Sequence, residues 1–176
     1  MGLVFLLEAK CSKSTTMRTP WNSTTFRALV VLASATTFVA SLTQTAIVVD
    51  GSDRGLERLP SYGWELLILG GLSVLGDVPS LLVWLANPIL AVAWIFYLRD
   101  LRRAGLISAV TALGLTLCFV WVKSVLGPGP EGVNVADFEM RPIISYGIGY
   151  LLWVASAAVL VAGIVAGNSV SYILVE

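Results

Sequence analysis

The chain has 176 residues, of which 57% are hydrophobic and 12% are charged, and its 11 basic and 11 acidic residues give a net charge of zero. Soluble domains contain about 25% charged residues, so this composition excludes an ordinary water-soluble protein. The sequence contains no histidine. Its absence excludes Ser-His and Cys-His nucleophile pairs and metal ligation by imidazole.

The first 26 residues are rich in serine and threonine and predict a mobile cytoplasmic tail, within which Met17 is an alternative start. An apolar run from Ala28 to Val49 then predicts the first transmembrane helix, at about residues 27 to 49, because about 20 apolar residues cross a ~30 Å hydrocarbon core. The run is too long for a secretory signal, whose apolar region has about 7 to 15 residues. Its polar residues from Thr36 to Thr45, which include Gln44, predict a side that faces protein rather than lipid.

The first outer loop, residues 50 to 77, contains a second apolar segment. The segment from Leu66 to Gly76 is uncharged and is followed by Asp77. It is too short to cross the membrane. We expect residues 64 to 77 to form a short interfacial helix on the outer surface, with Trp64 at the level of the lipid headgroups. A re-entrant, pore-forming loop is the alternative.

The second predicted span, residues 78 to 98, contains Asn87 and Pro88 near its middle. Pro88 has no N–H to donate and its ring crowds the carbonyl of Trp84, so a kink is expected there. We interpret the Asn87 amide as a packing group that hydrogen-bonds a neighbouring helix or the freed backbone. A ligand or ion site at Asn87 is the alternative.

A short connection joins the second span to the third, residues 104 to 123, and predicts an antiparallel hairpin of the two helices. Asp77 and Lys123 are then expected at similar depth at the other end of this hairpin. Because a lone charge near hydrocarbon is costly, we expect these two side chains to pair.

The second outer loop, residues 123 to 142, carries carboxylates that suit a divalent cation, but we prefer the simpler interpretation that the outer side lacks basic residues. The fourth predicted span covers residues 144 to 167 and contains Gly163-x-x-x-Gly167 beside alanines at helical spacing. Small residues let helix backbones approach closely. This face is expected where the bundle closes or where another subunit docks.

The basic residues predict the orientation, because Lys and Arg near span ends remain on the cytoplasmic side. Seven of the 11 basic residues precede the first span or lie between the second and the third: Lys10, Lys13, Arg18, Arg27, Arg99, Arg102 and Arg103. Both termini are therefore expected in the cytoplasm. The predicted fold is all-α, a polytopic four-helix transmembrane bundle forming one domain over residues 27 to 176, with a short interfacial helix in its first outer loop.

Three short segments carry a resemblance to a protein family. They are Gly63-Trp64-Glu65, Trp84-Leu85-Ala86-Asn87-Pro88 and Gly147-x-Gly149-Tyr150-x-x-Trp153-x-Ala155-Ser156. Together they resemble small, uncharacterised bacterial inner-membrane proteins of four spans over roughly residues 60 to 160. The resemblance implies a bacterial plasma membrane and an ordered outer face, and it implies no activity.

The sequence favours a non-catalytic integral membrane protein, a packing or scaffolding subunit of a membrane assembly. The expected partners are the lipid bilayer and a membrane protein or a second copy of the chain; no nucleic acid, cofactor or metal is expected. A small transporter or channel that uses the polar first span and the Asn87-Pro88 break is the alternative. An enzyme using outer-face carboxylates such as Glu65 or Asp137 is a third reading.

Overall fold

The computed structural model describes residues 24–51, 58–72, 78–128 and 138–173. Over these residues the chain is mostly helical, and four helices are long and apolar enough to cross a membrane: Thr24–Thr43, Val78–Leu98, Arg102–Trp121 and Ile148–Gly167. The prediction of four helices of membrane-spanning length is therefore confirmed.

The helices and strands follow one another along the chain, with two strands in each long connection. The described elements are α1 (Thr24–Thr43), β1 (Thr45–Asp50), β2 (Arg58–Tyr62), α2 (Gly63–Leu72), α3 (Val78–Trp84), α4 (Ala86–Leu98), α5 (Arg102–Cys118) with a 3-10 turn (Phe119–Trp121), β3 (Ser124–Pro128), β4 (Phe138–Tyr146) and α6 (Ile148–Ile173).

The prediction of an all-α fold is wrong. In the described part of the chain, the two long connections form an antiparallel sheet of four strands in the order β2-β1-β4-β3. The first predicted span was too long at its end and the fourth too long at its start, because β1 and the end of β4 are as apolar as the helices beside them. Ile47, Val48 and Val49 are β-branched, and such side chains pack well on a pleated sheet.

The four long helices close around a core of small and aliphatic side chains. α4 and α5 form the predicted antiparallel hairpin, and α6 packs along α1. Alanines at the helix crossings allow close packing of the backbones. The core contains Leu90, Ala93, Tyr97, Ala109, Ala112, Ala157, Leu160 and Ile164.

The two ends of the bundle differ in chemistry. Arg27 at the start of α1 forms an ion pair with Asp100 in the α4–α5 turn, Nη1 to Oδ1 2.7 Å, and Arg102 Nε lies 3.1 Å from the same oxygen. This pairing brings the start of α1 beside the turn between α4 and α5. We call this the arginine end (Arg27, Arg99, Arg102 and Arg103) and the opposite end the sheet end (β1 to β4).

A buried hydrogen-bond chain joins three of the helices. The Ser34 hydroxyl of α1 donates to the Ser156 carbonyl of α6 at 2.8 Å and accepts from the Trp94 indole N–H of α4 at 2.9 Å. Ser34 is fully buried, and the Trp94 ring contacts Phe38 edge-on with centroids 5.8 Å apart. Ser34 therefore satisfies a donor that the apolar core would otherwise leave unpaired.

Replacing Ser34 with alanine is expected to lower the free energy of unfolding by about 1 to 2 kcal/mol, because it leaves the Trp94 N–H without an acceptor. Thr37→Ala is the matched control, since the Thr37 hydroxyl donates only within its own helix, to the Ala33 carbonyl. Unfolding in a mild detergent measures both. Equal stability of the two variants would show that the hydrogen bonds through Ser34 add nothing to the packing of the helices.

Candidate functional site

A cavity of about 70 Å³ lies at the sheet end, where the sheet meets the helices. Its walls come from α1, α2, α3, α6, the start of α4 and strands β1 and β3, and they are mainly apolar and aromatic. Phe38, Leu66, Val83, Phe119 and Tyr150 are among the lining residues. The site lies where segments distant in sequence meet, which is a common place for a ligand pocket.

The first wall is α2, and the Gly63-Trp64-Glu65 segment holds it in place. A Cβ on Gly63 would overlap the backbone of Ser41, so only glycine fits here, and its N–H donates to the Gln44 carbonyl at 3.1 Å. Glu65 accepts from the Tyr62 N–H at 2.8 Å and so caps the first turn of α2. The short helix predicted in the first outer loop is thus present over residues 63 to 72, while residues 73 to 77 lie outside the described ones.

The second wall is α3, which α2 contacts through Trp84. The Trp84 indole N–H donates to the Leu67 carbonyl at 2.7 Å. A Cβ on Gly70 would lie 2.6 Å from Trp84 Cδ1, so Gly70 makes room for the ring. The glycines of α2 therefore allow this helix to pack closely against the Trp84 ring.

Helices α3 and α4 are separated only at Leu85. The hydrogen bonds Leu85 N to Leu81 O and Ile89 N to Leu85 O, both 3.1 Å, carry the chain through the interruption. Pro88, which has no N–H, leaves the carbonyl four residues earlier without its helical donor. Asn87 beside it is half-buried and lines the cavity.

The third wall is the start of α6, and the Gly147-x-Gly149-Tyr150-x-x-Trp153 segment brings it close to β1. A Cβ on Gly147 would overlap the Thr45 carbonyl, and one on Gly149 would lie 2.8 Å from the Gln44 carbonyl oxygen. The Tyr150 hydroxyl donates to the Thr116 carbonyl at 3.1 Å. Ring contacts with centroids 5.0 to 6.4 Å apart then join Phe119, Tyr146, Tyr150 and Trp153.

Two hydrogen-bond donors at this cavity have no partner among the described residues. They are the Ser80 hydroxyl and the Trp153 indole N–H, whose donor atoms are both buried. The indole N–H groups of Trp84 and Trp94, in contrast, have acceptors. Buried donors are nearly always paired in folded proteins, so these two groups indicate an occupant of the cavity.

The predicted site residues fall into different places. Of the predicted site residues, Asn87 is among those that line the cavity. Gln44 contributes its backbone carbonyl to Gly63, and its side chain is exposed. Lys123 is also exposed, and because Asp77 lies outside the described residues, the expected Asp77–Lys123 pair stays a prediction.

Gly163 and Gly167 lie on α6 beyond the cavity. A Cβ on Gly163 would overlap the Val30 side chain of α1, so this glycine closes the bundle within the chain. Gly167 is buried. The alanines expected on the same face lie elsewhere, since Ala162 and Ala166 are exposed.

Sequence reasoning missed three polar groups at the sheet end. It did not single out Ser80 or the indole of Trp153 as unpaired donors. It also missed Arg141, which is 5% exposed in β4 and donates from Nη1 to the Asp50 carbonyl at 3.0 Å.

Burial raises the pKa of the Tyr146 hydroxyl, which lies 3.2 Å from the Val120 carbonyl.

Across the described ranges no group of three or more Cys, Asp or Glu side chains is placed to hold a metal ion. Comparison of the chain with protein-family models, curated proteins and solved structures finds no significant match. The cavity and the sheet are therefore interpreted from their own chemistry.

Proposed function

We propose that this protein is a non-catalytic integral membrane protein, a packing or scaffolding subunit of a membrane assembly, which presents its sheet to a partner. The observation that carries the proposal is the short joint between sheet and helices. One residue separates α1 from β1, and one residue separates β4 from α6. The sheet is therefore joined closely to the helix ends and forms a platform on them.

The platform has two edge strands, β2 and β3, and we call β2 its outer edge. Arg58, Pro60 and Tyr62 alternate along it with their side chains exposed. Pro60 lacks an N–H, and proline occurs in sheets mainly on edge strands, which proteins protect against the addition of another strand. A partner would then dock against the exposed side chains rather than by extending the sheet.

The proposal places the protein in a bacterial plasma membrane with both termini in the cytoplasm. Its support is the four arginines of the arginine end, against Arg58 and Arg141 in the sheet, because basic residues are retained on the cytoplasmic side. The exposed large apolar side chains of the long helices, including Leu32, Ile107 and Leu151, suit contact with lipid. The resemblance to bacterial four-span proteins points to the same membrane.

Photo-crosslinking tests the docking surface. A photoreactive amino acid at Tyr62, 42% exposed on β2, is expected to give a discrete protein adduct in native membranes, with the same protein co-purifying in mild detergent. The matched control is Ile107, 67% exposed on α5, where lipid is the expected neighbour. A monomer with no protein adduct from Tyr62 would contradict the scaffolding role.

The second candidate is a small transporter or channel that uses the polar first span and the Asn87-Pro88 break. The specific observation in its favour is that Asn87 lines the cavity. Against it, the Ser34 hydroxyl joins α1 to α6 by donating to the Ser156 carbonyl, and the Thr37 and Ser41 hydroxyls donate to backbone carbonyls within α1. Flux in reconstituted vesicles that is lost in Asn87→Leu would favour this candidate over the first.

A further inference from the structure

The cavity at the sheet end combines apolar walls with unpaired donors. Ser80 is 7% exposed, and its hydroxyl lacks a hydrogen-bond partner among the described residues. The Trp153 indole N–H is buried and also lacks a partner among them. Both residues line the cavity, as does Asn87. An empty cavity in a protein is normally apolar, so buried, unpaired donors on residues that line this one favour an occupant with an acceptor.

The walls determine the charge of that acceptor. None of the described lining residues is Asp, Glu, Lys or Arg. A charged group placed here would lose its hydration without gaining a counter-ion, which is strongly unfavourable. An uncharged oxygen, such as a carbonyl, satisfies the two donors at no such cost.

The size of the cavity limits how much of a ligand enters. A water molecule needs about 10 to 15 Å³ of such space, so a cavity of about 70 Å³ holds a ring or an ester group with a few carbons. A longer hydrocarbon tail would have to extend outside. That arrangement suits a molecule drawn from the membrane itself.

We propose that this cavity binds the carbonyl-bearing part of an uncharged membrane molecule, with Ser80 Oγ and Trp153 Nε1 as its hydrogen-bond donors. Leu66 and Val83 then contact the carbons beside the carbonyl. The chemistry is shared by the ester of a neutral glycerolipid and the ring of an isoprenoid quinone. The proposal stands apart from the scaffolding role, because it concerns the interior of the sheet end rather than its outer edge.

Titration of the purified full-length protein in mild detergent with two probes tests the proposal. The probes are a benzoquinone with a decyl tail and dioctanoylglycerol, and tryptophan fluorescence and the unfolding midpoint report binding. Trp153→Phe and Ser80→Ala are each expected to weaken binding about fivefold, since each removes one hydrogen bond. The matched control is Trp94→Phe, because the Trp94 N–H bonds Ser34 outside the cavity.

The two probes distinguish the sources of the carbonyl. Binding of the quinone alone identifies a ring carbonyl, binding of the glyceride alone identifies an ester, and binding of both identifies the shared group. Leu66→Phe provides an independent check, because the larger ring fills the cavity and should abolish binding while leaving the protein folded. Saturable binding of neither probe, or equal affinity in the wild type and all three cavity variants, would overturn the proposal and leave water as the occupant.

Discussion

Replacing Gly147 with alanine is expected to lower the free energy of unfolding by about 2 to 3 kcal/mol. Gly147 is the single residue between β4 and α6, and an added Cβ would overlap the carbonyl oxygen of Thr45 in β1. That oxygen belongs to the backbone, so it cannot rotate away as a side chain would. The Gly147 N–H also donates to the Ala46 carbonyl at 2.8 Å, which opposes any separation of the two segments.

Unfolding by denaturant or heat in a mild detergent measures the effect. Gly114→Ala is the matched control, because a Cβ on Gly114 in α5 would meet nothing within 4 Å. The control is expected to be unchanged or up to about 1 kcal/mol more stable, since alanine favours helix over glycine. If Gly147→Ala unfolded at the same denaturant concentration or temperature as the control, the close joint between the sheet and α6 would be refuted.

Gly163→Ala is expected to destabilise the protein by about 2 kcal/mol through a different contact, the packing of α6 on α1. An added Cβ at Gly163 would overlap both methyl groups of Val30. The Gly163 carbonyl also lies 3.4 Å from the Tyr97 hydroxyl of α4. Separating α6 from α1 would therefore disturb contacts of three helices.

Val30→Ala gives this prediction its specific test, because it removes the side chain that the new methyl group would meet. Residues in contact show non-additive effects on stability. We expect the double variant Val30→Ala with Gly163→Ala to lose less free energy of unfolding than the two single variants lose together. Strict additivity in the unfolding measurements would mean that Gly163 faces something other than Val30.

The lengths of the apolar runs were enough to predict four helices and the hairpin of α4 and α5. They were not enough to predict the sheet. Ile47 to Val49 and Ile143 to Tyr146 continue the apolar composition of the adjoining helices, and hydrophobicity alone does not distinguish a strand from a helix end. The β-branched residues and Gly147 were the available signals, and the single long run obscured them.

The candidate site was predictable only in part. The three segments singled out from the sequence do meet at one cavity, through Gly63, Trp84 and Trp153. Their meeting depends on the β1–β2 and β1–β4 pairings, which no local pattern specified. The buried face of α6 was predicted only through Gly163 and Gly167, because a helix that is apolar all round gives no periodic signal for its rotation.

Labelling of single cysteines in intact cells tests the central claim most directly, the claim that the four helices cross a membrane with the sheet end outside and the arginine end inside. Cys11 and Cys118 are replaced by serine, and one cysteine is introduced at exposed Pro60 in β2 or at exposed Leu101 in the α4–α5 turn. A membrane-impermeant thiol reagent is expected to label Pro60→Cys in intact cells, and Leu101→Cys only after permeabilisation. Equal labelling of both positions in intact cells, or labelling of Leu101→Cys alone, would contradict this arrangement.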